Sequence, residues 1–270
     1  MLMKKKIVPL FLSLLCYFSA SAQEISKLPC LDKQFSVVVH IVKDSLGQSK
    51  ITQSQIETNF TKLNAVFDSI CVSFKVCEYR YIENFRYDSI DTMKGQWNEL
   101  INQYHALNKI NVFYVDEIVN PSGATGFASL AHICVMNSGG IVLKKSSSDI
   151  VLAHEMGHFF GLNHTWNNKA NINLKSVELV NGSNSLTSGD EISDTPADPF
   201  VKGTNPASYL SSNPAYPCKF IGKMLDANGL FYDPLVGNTM SYYPETCNCG
   251  FTREQYMKMA ETFLSNPKMW

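Results

Sequence analysis

Residues His154 to His164 read H-E-M-G-H-F-F-G-L-N-H, and this run limits what the chain can fold into more than any other segment. Residues four apart on an α-helix share a face, so a helix through His154 and His158 brings both imidazoles to one point. Glu155, one position on, projects beside that point. Gly161 is suited to ending the helix, because glycine turns at positive φ without a Cβ clash. The chain can then return His164 as a third nitrogen. Three neutral imidazoles with a free fourth position are the ligand set of a catalytic zinc ion rather than of a closed structural site. A solvated helix could carry the same histidines by accident, but Ile150, Val151, Leu152, Ala153, Met156, Phe159 and Phe160 surround them. That is the composition of a buried helix.

The N-terminus has the pattern of an export leader. Lys4, Lys5 and Lys6 precede an apolar stretch from Ile7 to Phe18, and Ala20-Ser21-Ala22 supplies the small residues of a cleavage site. Residues 1–22 are therefore expected to be a signal peptide, with Gln23 first in the exported chain. The apolar stretch is short for a membrane span. Lipid attachment at Cys16 lacks the small residue needed immediately before the cysteine. Secretion, or release into a periplasm, is expected, with no membrane anchor. The leader carries three lysines and no acids, so its removal moves the formal net charge from −1 to −4. Mild acidity gives no footprint for nucleic acid or anionic lipid. Residues 23–270 suffice for one catalytic domain around a cleft, and a monomer is expected.

One of the eight cysteines, Cys16, lies in the leader, which leaves an odd number for the exported chain. Spacing suggests a bridge between Cys71 and Cys77, and one from Cys218 to either Cys247 or Cys249. Phe35 to Val42 is rich in β-branched residues and is expected to be a buried strand, with His40 a packed core residue. Thr52 opens a helix in which Ile56, Phe60, Leu63, Val66 and Phe67 recur at helical spacing. Strands are expected at Val72 to Tyr81, Ile110 to Val115 and near Leu130 to Met136, with a helix from Trp97 to Leu107. Ser148 or Asp149 can cap the motif helix. Residues 165–235 are rich in Asn, Ser, Gly and Pro and show little periodicity, a length of irregular chain that points to function or to bracing by metals or disulfides. A closing helix is expected from Thr252 to Leu264, with Tyr256, Met259, Ala260 and Phe263 on one face.

Two further segments narrow the reading. Asn238-Thr239-Met240-Ser241-Tyr242 lies downstream of the histidine run, and Gly189-Asp190-Glu191-Ile192-Ser193-Asp194-Thr195-Pro196 lies between them. With the eleven-residue motif, Met240 matches the Met-turn of metzincin metallopeptidases. Within metzincins the chain resembles the pappalysin-type family, on His154 to Trp166, Gly189 to Pro196, Asn238 to Tyr242 and the tail Cys247-Asn248-Cys249-Gly250-Phe251-Thr252. The resemblance spans roughly residues 36 to 264 and is specific only beyond Asp149. It implies an α+β metzincin-like fold: an upper lobe (about 36–164) of mixed twisted sheet with backing and active-site helices, and an irregular lower lobe (about 165–268) ending in a helix, after a short N-terminal segment at 23–35. It also implies Met240 as an apolar base beneath the zinc, Tyr242 as a hydrogen-bond donor to the oxyanion, and structural calcium involving Asp190 and Thr195. The chain departs from the family in two places. Only Gln23 to Gln34 precede the first strand where a long prosegment is usual, and the family's cysteine ahead of Asp-Thr-Pro is missing. Latency would then need another device, such as Cys30 capping the zinc as a thiolate, although an ordinary disulfide or free thiol is the simpler role for it.

The function expected is zinc-dependent endopeptidase action on proteins or peptides, with Glu155 as general base and Tyr242 at the oxyanion. An upper-lobe strand edge would receive the substrate as an added strand, with Leu130 to Met136 the candidate edge. Glu245 is a candidate to favour Lys or Arg after the scissile bond, against the simpler role of a solvated turn carboxylate. Two other classes compete: a non-catalytic binding or adhesion protein on the same scaffold, and a zinc hydrolase of non-peptide substrates. The intact Glu155 and three histidines weigh against the first, and the Met-turn against the second.

Overall fold

A computed structural model describes residues 27–120, 123–129, 139–166 and 177–267. The leader expected at residues 1–22 and the edge expected at Leu130 to Met136 lie outside these. Strand β1 (Lys33–Val42) runs between two parallel neighbours, β2 (Val72–Ile82) and β4 (Ile110–Val115). A strand hydrogen-bonded on both sides and covered on both faces reads as one apolar run rather than an alternation, which is why Phe35 to Val42 carries so few polar residues.

The period-2 geometry of β1 still divides its side chains between two cores. Val37, Val39 and Ile41 face one side, with Val112 and Tyr114 of β4. Helix α1 (Gln53–Phe67) covers that side through Ile56, Phe60, Leu63 and Phe67. Each such fully buried side chain contributes about 1.5–3 kcal/mol relative to exposure. Thr52 starts α1 with a capping box: its hydroxyl accepts from Gln55 N–H, and the Gln55 side chain returns to Thr52 N–H. Val42, Phe113 and Val115 face the opposite side, against Leu100 and Ile101 of α2 (Gln96–Tyr104). His40 belongs to that layer. It stacks on Phe113 at 4.2 Å and shares a hydrogen bond of 2.9 Å with Asn111 Oδ1, and burial lowers its pKa to about 4. It is a core residue, as expected.

The five-stranded sheet has the order β2-β1-β4-β7-β6, where β6 is Gly126–Ala128 and β7 is Ile141–Lys144. All neighbours are parallel except β6, which runs antiparallel to β7 at the edge. Ser89–Asp91 (β3) and Glu117–Asn120 (β5) form a separate two-stranded pair. The short strands β3, β5, β6 and β7 are additions to the sequence reading. Among the described strands of this sheet, β2 and β6 form the two edges, and Gly126 of β6 lines the cleft.

The motif helix, α3 (Asp149–Phe159), packs on the α1 side of the sheet, and the closing helix, α4 (Arg253–Ser265), joins the same core through Met259. Met240 and Ile192, from the irregular half, also enter that core, so the two lobes share one hydrophobic centre. Between residues 177 and 252 the described chain holds only short 3₁₀ turns and isolated bridges.

One pairing expectation is overturned. Cys71 is bonded to Cys30, and Cys77 is a free thiol. Cys77 lies within β2, and six residues of extended strand span about 20 Å, far beyond disulfide reach. Cys71 instead sits just before β2, at φ 54°, where Leu31 and Lys33 hydrogen-bond alongside it. The bridge also takes from Cys30 the thiolate that a zinc cap would need. Cys218 pairs with Cys247, one of the two partners left open, and Cys249 is free. No helix among the described residues is long and apolar enough to cross a membrane.

Candidate metal centre and cleft

Ser148 begins α3 by accepting the Val151 N–H on its hydroxyl. The helix is apolar nearly all round, as a helix enclosed by other elements must be. It ends in a Schellman turn: Gly161, at φ 92°, donates its N–H to His158 O (2.9 Å), and Leu162 donates to Gly157 O (3.0 Å). That turn also aims the Leu162 carbonyl at His158 Nδ1, 2.7 Å away. His154 Nδ1 lies 2.6 Å from the Thr239 carbonyl. A carbonyl only accepts, so both Nδ1 atoms carry the proton and both Nε2 atoms present lone pairs.

The free nitrogens converge. His158 Nε2 is 3.0 Å from His164 Nε2, which is 3.2 Å from His154 Nε2. Lone pairs this close repel unless a cation or proton lies between them. Imidazole nitrogens bound tetrahedrally to zinc at about 2.0–2.1 Å stand about 3.3 Å apart, so the donor set has the dimensions of that ion. Burial holds all three imidazoles below their ordinary pKa, His154 at about 3, and neighbouring rings add to the effect on His154 and His164. They are therefore neutral, the form that binds metal. This is the only convergent cluster of three or more histidine, cysteine or acidic side chains among the described residues. His164 is held between two rings, stacked on Trp166 at 4.7 Å and met edge-on by Tyr242 at 4.6 Å.

Met240 is fully buried beneath this cluster. A Cβ on Gly157 would come within 2.6 Å of its sulfur, so the glycine in α3 is what permits the close approach, at a helix cost of about 1 kcal/mol. Asn238 and Gln255 exchange two side-chain hydrogen bonds (2.8 and 3.1 Å) and tie the Met240 turn to α4. Thr239, whose carbonyl orients His154, belongs to the same turn.

Glu155 is buried, with Oε2 unpartnered among the described residues. Gly126 of β6 leaves it room, since a Cβ there would stand 2.9 Å from its Cγ and Oε1. Burial pushes the carboxyl up to about 8, and a cation held by the histidines would draw it back down. Tyr242 is raised to about 12, first by burial and then by the Glu155 charge, so its hydroxyl is a neutral donor. Glu155, Tyr242, Glu245 and residues 123–126 all line one cleft of about 630 Å³.

Asp190 and Thr195 lie elsewhere in the lower lobe. Thr195 Oγ1 donates to Asp190 Oδ1 at 2.8 Å. Asp190 Oδ2 and Glu178 Oε2 are buried without partners among the described residues. Burial pushes Glu178 up to about 8 and Asp190 up to about 7. Gly189, at φ 61°, has no room for a Cβ because Glu178 Oε2 occupies the space. Sequence reasoning missed Glu178, Trp166, Gly126 and Asp198. Asp198 accepts from Thr165 Oγ1 (2.7 Å) and from Tyr243 OH (3.0 Å). Trp166 lies inside the quoted run His154 to Trp166, the one sequence signal available for these residues; the others have no spacing that marks them.

Residues 36–195 match the model of metallo-peptidase family M12. Among solved structures, mature mirolysin of Tannerella forsythia in complex with a cleaved peptide matches with TM-score 0.61 and 18% identity, over 85% of this chain and 91% of that one. Mirolysin in complex with compound 9 matches with TM-score 0.59 at 18% identity over the same shares. At such identity the likeness speaks for the fold, a metzincin fold of mixed sheet and helices.

Proposed function

The chain belongs to metallo-peptidase family M12, and from that premise we propose that it is an exported zinc-dependent endopeptidase of the pappalysin type. The observation that carries this reading is the meeting of three imidazole nitrogens beside an unpartnered, buried carboxylate at the floor of an open cleft. When bound, zinc supplies a Lewis acid that makes a water acidic near neutral pH and polarises the scissile carbonyl. His154, His158 and His164 would hold it, with Met240 closing the site from below. Glu155 takes the proton of the attacking water and passes it to the leaving amine. The Tyr242 hydroxyl donates to the oxyanion of the tetrahedral intermediate. The edge of β6, which pairs only with β7 among the described strands, is proposed to offer backbone groups to an extended peptide, and the cleaved peptide bound to mirolysin fits that reading. The deciding experiment is hydrolysis of casein by the purified protein, blocked by a chelator and restored by zinc. A protein that binds casein without cutting it would be an adhesion module instead.

Glu245 begins a short 3₁₀ turn on the cleft wall, exposed to solvent, and is proposed to favour Lys or Arg after the scissile bond. Glu245→Gln is expected to lower kcat/KM about two- to fivefold for such peptides, the scale of one exposed charge pair. Profiling a peptide library with both proteins checks this, and equal profiles would refute it.

Calcium is proposed for Glu178, Asp190 and Thr195. Two carboxylate oxygens, unpartnered among the described residues, and the Thr195 hydroxyl bonded to Asp190 are hard donors in a loop. Calcium at a hundred times its Kd should stabilise the fold by about 2.7 kcal/mol, read as a rise in Tm that Asp190→Asn abolishes. An unmoved Tm at millimolar calcium would remove the site. Residues 36–268 are proposed as one catalytic domain, supported by the core that both lobes share. Export is supported by two disulfides, and a monomer is the proposed working form.

A further inference from the structure

The described residues lining the cleft include two carboxylates, Glu155 and Glu245, and a single cationic side chain, Lys202. Lys202 is exposed and forms no ion pair with a described carboxylate, and unlike the other unpaired lysines of the described chain it lines the cleft. The segment that carries it is firmly placed. Asp198 Oδ2 accepts from Thr165, the residue after His164, and Asp198 Oδ1 accepts from Tyr243 OH and from Phe200 N–H (3.0 Å each). The buried Phe200 ring then packs on Trp166 at 5.4 Å and Tyr242 at 5.6 Å. Two residues beyond this anchor, Lys202 lines the cleft that also holds His154, Glu155 and Tyr242.

No described carboxylate pairs with the Lys202 charge. A carboxylate arriving with a ligand would. Inside a cleft with low-dielectric walls such a pair is screened less than on an open surface. We propose that Lys202 is a specificity-determining residue whose ammonium receives an acidic side chain of the polypeptide substrate. The inference rests on the peptidase reading and deepens it. With Glu245 lining the same cleft, Lys202 would let it read one acidic and one basic residue of an extended chain. Sequence gave no sign of this, because Lys202 stands in an irregular stretch with no motif around it.

Binding, measured apart from turnover, tests the proposal. Zinc-loaded Glu155→Gln protein is titrated into fluorescein-labelled decapeptides in which Glu replaces Gln at each position in turn, with fluorescence anisotropy as the readout. One position is expected to bind about tenfold more tightly with Glu than with Gln, a common scale for one charge pair at an interface. Adding Lys202→Glu should reverse the order there, so that Lys at that position binds best, while Lys202→Met should erase the difference. Equal Tm values establish that each variant is folded. Equal affinity for Glu and Gln peptides at every position, or a preference that survives Lys202→Glu, overturns the proposal. Wild-type protein that cuts none of the peptides would remove the peptidase reading and leave this measurement standing.

Discussion

Glu155→Gln is expected to keep its full complement of zinc while turnover falls by about 10²–10⁴-fold, the usual contribution of a positioned general base. The substitution is nearly isosteric, which matters at this position. Glu155 is buried against Gly126, where even a Cβ would crowd its Cγ and Oε1, so a larger change would shift β6 as well as remove the base. The amide fills the same space but cannot take a proton. It also replaces a carboxylate that burial penalises, so Tm should hold or rise slightly. None of the three histidines depends on Glu155 for orientation: His154 and His158 lean on the Thr239 and Leu162 carbonyls, and His164 on Trp166 and Tyr242. Metal analysis, Tm and casein hydrolysis on the two proteins check each part. A variant with intact zinc and undiminished hydrolysis would show that the proton is handled elsewhere.

His164→Ala is expected to do the opposite: to lose the metal and, with it, all activity at trace free zinc. Removing a hydrogen-bond partner of a zinc ligand typically costs 10–100-fold in affinity, and losing one of three ligands outright should cost more. The fold should survive, because the buried core around α3 is built from Leu152, Met156, Phe159 and Phe160 and does not include His164. The discriminating result is therefore a folded protein, with near wild-type Tm when both are measured without metal, that retains no zinc after dialysis. Stoichiometric zinc in the dialysed variant would place the ion elsewhere. The comparison must use metal-free wild type, since bound zinc raises the stability of the native state by mass action.

Local periodicity explains which parts of the fold were legible. The capping box at Thr52 and Gln55, the apolar stripe of α1 and the Gly161 stop each depend on residues within one or two turns of each other. Ile141–Lys144 was not legible as β7, since four apolar-rich residues have no decisive period. Gly126–Ala128 is shorter still, and a glycine at its head argues for a turn until Glu155 is seen to need that space. Cysteine pairing failed for a related reason. Nearness in sequence favoured Cys71 with Cys77, but an extended strand carries neighbours apart, and the true partner comes from the segment that lies beside Ile70 and Cys71.

By itself the sequence determined the identity of the candidate metal centre. Four residues of helix bring His154 and His158 onto one face whatever surrounds them, and a glycine past the last turn lets His164 return. Only the tertiary structure decided what stands around that centre: the Thr239 carbonyl that fixes the His154 tautomer, the Met240 sulfur against Gly157, the β6 edge over Glu155, the Asp198 anchor and the Lys202 charge in the cleft. The physical reason is range. Helical spacing is a property of neighbouring dihedral angles and can be read in one dimension. The lower-lobe contacts join residues tens of positions apart through single hydrogen bonds and ring edges, which have no period along the chain.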